Sequence, residues 1–309
     1  ELERLGGFPE SVANRIATGE LPMDPASVEK RWIEQNYGDE LYHGSTHDIK
    51  EFNGQGNPGN DWGQGTYLTD SVYDASDNYA GIDGPDFQNN AVTRAEQLAS
   101  LSDNPNADPN DYLRQAMQEL GGSNEGVIYP LRVKKDGLLN VSDKIQLPDY
   151  YQRAKDELGY DGLEITDDMA DEIYEMADEI ESFDTIDENP NANLFQTGSD
   201  LGVDLSDVGM IEEGDTWESL RDQLAGAYAE TDSGEMIGGG GIVSEVMRRG
   251  GAKGVVDELS PGRFNMNSGE HTIMFPGSEN QIRSVNAAYD PEYKGSNIMG
   301  GAAGTAGTA

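Results

Sequence analysis

Three short stretches of the chain combine residue types from which a pocket for a flat ligand can be built. They lie at residues 41–45, 63–70 and 75–80. The first contains His43 beside a glycine, the second contains Tyr67, and the third contains Tyr79. An imidazole can hold a ligand by hydrogen bonds, a glycine lets a ligand approach the backbone, and aromatic rings stack on planar groups. The set predicts a pocket, although each residue taken singly fits a satisfied core position equally well.

The residues around these stretches predict the elements that hold them. Leu41, Tyr42 and His43 form a short strand that ends at Gly44, and residues 66–69 form a second strand. Asp70 or Ser71 then caps a helix that continues to about residue 80. We therefore expect the histidine at the end of one strand, Tyr67 in the next strand, and Tyr79 on the helix directly behind it.

Periodicity along the rest of the chain favours short strands mixed with helices. Further strands are predicted at 126–133, 254–256 and 272–275, and helices at 11–17, 26–35, 91–101, 111–120, 149–158, 167–182, 216–229 and 242–249. The glycine run 238–241 is expected to break the chain before the last of these helices. Because strands and helices do not alternate strictly, the pattern indicates an α+β fold rather than a doubly wound parallel sheet.

The composition excludes several classes of protein. The 309 residues include 20 Lys+Arg against 59 Asp+Glu, a net charge of -39, and no Cys. Without cysteine there is no disulfide framework, thiolate metal site or Cys nucleophile. No apolar run of about 18 residues is present, so no membrane span is expected. The negative charge repels phosphate backbones, which argues against non-specific nucleic-acid binding and makes a basic protein partner more plausible.

The sequence also suggests a domain organisation. We expect a helical leader at 1–38, a main domain at 39–291 that carries an acidic helical insertion at 143–249, and a Gly/Ala-rich tail or linker at 292–309. The start at Glu1 and the small-residue ending are also expected of a piece cut from a longer polyprotein.

Taken in order, the pocket stretches resemble ADP-ribosyltransferases of the H-Y-E type, the family of diphtheria-toxin-like enzymes and poly-ADP-ribose polymerases. In that family a His-Gly pair ends the first strand, and a Gly-x-Tyr strand precedes a helix with a small residue and a second Tyr. The version in bacteriophage polyvalent proteins is closer still, with a leader like residues 19–27 and an ending like residues 275–291. The resemblance covers residues 19–81 and 250–291, and residues 126–141 fit a middle strand.

The resemblance implies a fold, an activity and a setting. The fold would be an ADP-ribosyltransferase-like split β-sheet core. The activity would be that of a phage-type mono-ADP-ribosyltransferase, a glycosyltransferase that moves ADP-ribose from NAD to a protein acceptor of the host or the virion. The chain would work in the virion or in the host cytoplasm after delivery. The alternative is a virion structural or ejection protein that keeps the fold without the catalysis.

The resemblance also assigns residues to NAD. The matching positions are His43, Gly44, Ser45, Tyr67, Ser76 and Tyr79. By resemblance, His43 would bond the adenine-side ribose, while the Gly44 backbone and the Ser76 hydroxyl would hold the carboxamide. Tyr67 and Tyr79 would sandwich the nicotinamide ring. Breaking the glycosidic bond builds positive charge on the ribose, so orientation and a nearby carboxylate are the expected means of stabilising that transition state.

The third catalytic position departs from the family pattern. A Glu is expected two residues before the apolar run that begins at Ile273, but His271 occupies that position and Glu270 lies one residue earlier. Neighbouring strand residues face opposite sides of a sheet, so only one of the two can reach the pocket. A bulge near Gly269 would bring Glu270 in; otherwise His271 replaces the carboxylate, or Glu270 is a solvated loop acid. Family members without the Glu are limited to single transfer or inactive.

Two further patterns are weighed against simpler explanations. A metal site would need His43, His47 and His271 to converge with carboxylates. His43 and His47 lie four residues apart, a spacing that suits one face of a helix, but here His43 belongs to a predicted strand that ends at Gly44. We predict no metal. The acidic helix 167–182 has an apolar stripe, so it fits an ordinary solvated face over a core better than a decoy for a nucleic-acid-binding protein.

Overall fold

The computed structural model describes residues 8–295 except 50, 53, 55, 57–59, 103, 105, 122–125, 146–148, 161–162, 164–165, 167, 170–171, 174, 177–193, 204, 206–210, 212–213, 232–233, 235 and 264–267. Strands and helices are interspersed along the chain, which confirms the α+β class. The chain divides into two compact units. One comprises Glu1–Gly54, Thr66–Asp136 and Leu259–Ala309, and the other comprises Gln55–Gly65 and Gly137–Glu258.

The elements are short strands and helices of one to four turns. In chain order they are α1 (Glu10–Ala17), α2 (Pro25–Glu34), β1 (Leu41–Ser45), β2 (Thr66–Thr69), α3 (Val72–Asp74, continued by the π-helical turn Ala75–Tyr79), α4 (Pro85–Ser100), α5 (Pro109–Leu120), β3 (Val127–Val133), β4 (Leu138–Asn140), α6 (Asp149–Leu158), α7 (Leu194–Asp200), α8 (Trp217–Gln223), β5 (Tyr228–Glu230), β6 (Met236–Gly238), α9 (Gly239–Arg249), β7 (Gly254–Asp257), α10 (Ser260–Arg263), β8 (His271–Met274), a 3-10 turn (Glu279–Gln281) and β9 (Ile282–Ser284).

The first unit contains an antiparallel sheet with the strand order β8-β2-β1-β3-β9. Leu68, Leu131 and Ile273 are among its fully buried side chains. The apolar, β-branched and aromatic residues of these strands suit a pleated surface that is covered by other elements. Because β1 and β2 lie in the middle of this order, both strand segments of the expected pocket are held by neighbours within the first unit.

The N-terminal helices of the first unit pack on the segment that follows β9. Asp24 caps α2 by accepting a hydrogen bond from the Ser27 amide (3.0 Å), with Pro25 at the first helical position, as the sequence predicts. The Tyr37 ring meets the Tyr289 ring edge-on at 5.0 Å. Arg31 Nε donates to the Ala288 carbonyl (2.8 Å). Leu21, in the leader stretch 19–27 singled out by the resemblance, packs with Ala288 of the ending, so the two stretches are in contact.

The second unit holds two strand pairs and several helices. β4 and β7 are parallel, with Leu139 opposite Val255, whereas β5 and β6 form an antiparallel pair with Ala229 opposite Ile237. Trp62 is buried in this unit, and its indole nitrogen donates to Asp257 (2.8 Å). The part of the predicted acidic helix 167–182 beyond residue 176 lies outside the described residues.

Three helix predictions need correction. The glycine run 238–241 does not break the chain, because α9 begins at Gly239 within it. A Cβ on Gly240 would lie 1.8 Å from the Asp61 carbonyl, so close packing within the second unit requires this glycine. The helix predicted over 216–229 ends at Gln223 and gives way to β5. The helix predicted at 91–101 begins earlier, because α4 already starts at Pro85.

No helix in the described part of the chain combines the length and the apolar character that a membrane crossing requires.

Candidate functional site

The candidate site lies in the first unit, where β1 and β2 run side by side. β1 pairs with β3 along all five of its residues, from Leu41 to Ser45. Between the described residues of β1 and β2 a single pair, Tyr42 opposite Thr69, defines the ladder. Next to this pair, the His43 side chain bonds to the backbone of β2, because its Nδ1 lies 2.7 Å from the Tyr67 carbonyl oxygen. A side chain thus bridges the two strands at the predicted position.

The surroundings of His43 fix its protonation state. A carbonyl can only accept a hydrogen bond, so Nδ1 carries the proton and the neutral ring offers Nε2 as an acceptor. Phe52 packs edge-on against the ring at 5.1 Å between centroids, and Tyr129 lies at 6.4 Å. Burial lowers the pKa of His43 and outweighs the opposing effect of the bond to Tyr67. His43 is therefore neutral at pH 7.

The lowered pKa of His43 predicts a pH-dependent contribution to stability. The unfolded chain binds a proton near the ordinary value of 6.5, whereas the folded chain binds it only at lower pH. Stability is therefore complete above pH 6.5 and falls as the pH drops towards the folded pKa. In urea unfolding at pH 7.5 and 5.5, we expect His43→Gln to lose less stability on acidification than the wild type. His47→Gln, at an exposed position, should match the wild type, and an equal loss in all three proteins would contradict the assignment.

A helical segment packs on the sheet next to β1 and presents two of the predicted residues. Ser71 caps α3 by accepting a hydrogen bond from the Asp74 amide (3.2 Å). The π-helical turn follows and carries Ser76 and Tyr79, both half-buried. The sequence predicts an ordinary helix here, and the wider turn is a feature that occurs often at functional sites.

Glycine is required at one position in β1 and at one position just before β3 so that this segment can approach the sheet. A Cβ on Gly44 would lie 2.0 Å from the Ala75 carbonyl, and one on Gly126 would lie 1.6 Å from the Ala80 carbonyl. Both ends of the π-helical turn therefore rest on a glycine. Gly44 was expected to let a ligand approach the backbone. In the structure the helical segment occupies the space beside its Cα.

The register between β2 and β8 decides which side of the sheet each candidate for the third position faces. Thr69 lies opposite His271, and Tyr67 lies opposite Ile273. One residue before β8 the pairing is continued by the backbone bond from the Asp70 amide to the Glu270 carbonyl (3.1 Å), while the Glu270 amide donates to the Asp70 side chain at Oδ1 (2.9 Å). With the register unbroken, His271 shares the face of Tyr67 and the half-exposed Glu270 belongs to the other face.

His271 contacts the predicted site through the helical segment. Its ring lies 6.0 Å from the Tyr79 ring at an interplanar angle of 74°. Its Nε2 lies 2.9 Å from Asp74 Oδ2, and both side chains are buried. The structure therefore brings Tyr67, Tyr79 and His271 to one face and ties His43 to the Tyr67 backbone.

Asp74 is the residue of this site that sequence reasoning missed. Its carboxylate accepts hydrogen bonds from His271, Thr69 (3.0 Å), Asn78 (2.5 Å) and the Gly269 amide (3.0 Å). Burial alone raises the pKa of Asp74, but these bonds outweigh it and hold the pKa below its usual range. The spacing Ser71-x-x-Asp74 is that of a helix-capping box, which conceals the inward-facing carboxylate.

Ser45, the remaining predicted residue, has a local partner. Its hydroxyl accepts a hydrogen bond from the His47 amide (3.1 Å), and His47 is exposed with its Nδ1 2.9 Å from the Thr46 hydroxyl. Within the residues that the structure describes, no group of three or more His, Asp or Glu side chains is placed to hold a metal ion.

The fold and the site together define a mixed α+β protein in which Tyr67, Tyr79 and the Asp74–His271 pair lie on one face of the sheet. Tyr42 lies opposite Thr69, so the neighbouring His43 belongs to the other face and reaches Tyr67 through the backbone carbonyl. No family model, curated protein or solved structure matches the chain.

Proposed function

We propose that the chain is an ADP-ribosyltransferase that uses NAD as its substrate and a protein as the acceptor. The observation that supports this most is the placement of Tyr67, Tyr79 and His271 on one face of the sheet, with His43 bonded to the Tyr67 carbonyl. These are the positions to which the family resemblance assigns nicotinamide stacking, ribose binding and the third catalytic group. The finer fold, a split β-sheet core of the ADP-ribosyltransferase type, belongs to the same proposal.

The residues present suit the chemistry of NAD. Two half-buried tyrosine rings are available to stack on the nicotinamide, and Ser76 on the same helical turn offers a hydroxyl to its carboxamide. The neutral His43 can accept a hydrogen bond from a ribose hydroxyl at Nε2 while its Nδ1–H donates to the Tyr67 carbonyl. His271, on the face of Tyr67, takes the third position in preference to Glu270.

The proposed reaction transfers the ADP-ribosyl group without a redox change. The bond between C1′ of the ribose and the nicotinamide nitrogen breaks, and its electron pair stays on that nitrogen, so neutral nicotinamide leaves. Positive charge develops on C1′ and its ring oxygen. An oxygen or nitrogen of the acceptor side chain, or water, forms the new bond to C1′ and releases a proton. Stacking and hydrogen bonds contribute by holding the substrate in the reactive geometry.

Nicotinamide release and transfer of label from NAD to protein test the proposal. We expect the wild type to release nicotinamide, and Tyr67→Ala and Tyr79→Ala to lower kcat/KM about 100-fold because the ring is no longer held in place. Tyr73→Ala is the matched control, since Tyr73 lies on α3 with 74% of its surface exposed. It should stay within about twofold of the wild type.

The same assay separates the enzyme from a protein that keeps only the fold. A folded wild type that neither releases nicotinamide nor transfers label would reject the proposal. The virion structural or ejection role would then be the better explanation.

A further inference from the structure

The buried pair formed by Asp74 and His271 carries an inference about the third catalytic position, one that rests on the proposed function. An enzyme that builds positive charge at C1′ gains from a negative charge nearby, and the expected glutamate is replaced here by His271. The imidazole by itself provides no negative charge at neutral pH. The Asp74 carboxylate bonded to it provides a negative charge.

The geometry fixes how the charge of Asp74 is conveyed. Asp74 and His271 are both buried, with 1% and 5% of their surfaces exposed, and His271 is the one that lies on the strand face of Tyr67. The Asp74 carboxylate accepts hydrogen bonds from four groups, one of which is the N–H of His271 Nε2. The imidazole also meets the Tyr79 ring, with 6.0 Å between the ring centroids.

We propose that the Asp74–His271 pair takes the place of the family's glutamate. His271 is the catalytic residue that faces the ribose, and Asp74 is the positioning residue that orients the imidazole and supplies the negative charge. The Gly269 amide, two residues before β8 begins, and the Thr69 hydroxyl, on β2, hold the carboxylate in place. The pair stabilises the charge that develops while the bond from C1′ to nicotinamide breaks, so it acts on the rate of that step and not on the binding of NAD.

The charge of the pair can be varied while its shape is kept. Asp74→Asn removes the charge, and the double variant D74N/H271E restores it as a single carboxylate at the family's own position. We expect D74N to lower kcat about 100-fold with KM little changed, because the lost interaction belongs to the transition state. We expect the double variant to recover at least about tenfold of that loss. If Asp74 only supported the fold, replacing His271 as well would not restore kcat.

The matched control is Asp77→Asn, which makes the same chemical change at an exposed position on the same π-helical turn. Thermal unfolding and the dissociation constant for NAD, measured by calorimetry, accompany the rates. If D74N is unfolded, the double variant alone is compared with the wild type: substantial activity supports the pair, and a folded but inactive double variant overturns it.

The outcomes separate this inference from the proposed function. A wild type without nicotinamide release overturns both. A wild type that releases nicotinamide, together with a folded D74N of unchanged kcat, overturns the role of the pair alone. A fall in kcat for Glu270→Gln but not for D74N would also overturn it, because the third group would then be Glu270.

Discussion

Gly44→Ala is expected to destabilise the protein by about 3 kcal/mol, because the new methyl group has no space. The added Cβ would lie 2.0 Å from the Ala75 carbonyl and 2.9 Å from the Tyr79 Cβ. The first of these is backbone and cannot rotate away, so the π-helical turn must move off β1. Because that turn carries Ser76 and Tyr79, we expect the release of nicotinamide from NAD to fall as well. Urea unfolding measures the stability, and the NAD assay measures the activity.

Gly81→Ala is the control for this substitution. A Cβ there would find its nearest neighbour, the Asp83 amide nitrogen, at 3.9 Å, which is ordinary contact. We expect its stability to stay within about 1 kcal/mol of the wild type, since the loss of unfolded-state entropy is the main effect. If the two variants were equally stable, the close approach of the helical segment to β1 would be wrong.

Asp74→Ala is expected to cost about 3–5 kcal/mol of folding free energy, because a buried carboxylate that accepts several hydrogen bonds is removed and its partners stay buried. The substitution leaves the His271 ring and the Gly269 amide without their acceptor, and removes the bond from Thr69. Each of these is a buried donor whose desolvation is no longer compensated. Chemical denaturation at pH 7 measures the difference from the wild type, and Asp77→Ala, at an exposed position, should change stability by less than about 0.5 kcal/mol.

The pH dependence of this difference identifies the carboxylate as its source. The pKa of Asp74 is lower in the folded chain than its ordinary value of 3.8, so the stabilisation is present above that value and is lost as the pH falls through the folded pKa. We expect the difference between wild type and D74A to shrink below about pH 4, as Asp74 becomes protonated in the folded wild type. A difference that did not shrink in acid would indicate lost packing rather than a lost charge.

The local elements of the fold could be predicted where short-range rules dominate. The cap of α2 at Asp24, the strand around Tyr129 and the helix at Asp149–Leu158 follow from capping residues, β-branched and aromatic residues and helical spacing. The errors occurred where distant packing overrides propensity. Gly239 and its neighbours suggest a chain break, yet they begin a helix because space is short at that point in the second unit.

The residue types of the candidate site could be read from the sequence, but their relations could not. His43, Tyr67 and Tyr79 stand out by residue type within three short stretches, and Ser76 was assigned only through the family resemblance. The choice between Glu270 and His271 depends on the register of β2 against β8, which joins residues about 200 positions apart and leaves no local signal. Asp74 was hidden because its spacing from Ser71 has a sufficient local explanation as a cap.

By itself, the sequence determined the α+β class and the residues able to do chemistry, because both depend on side-chain types and on spacings of a few residues. Only the tertiary structure decided that His271 shares a face with Tyr67, that Asp74 is hydrogen-bonded to it, and that Gly44 makes room for the helical segment. Those facts depend on strand register and on contacts between distant segments. The whole unit adopts the packing that buries its apolar faces and gives its buried polar groups hydrogen-bond partners. No short stretch of sequence specifies that packing.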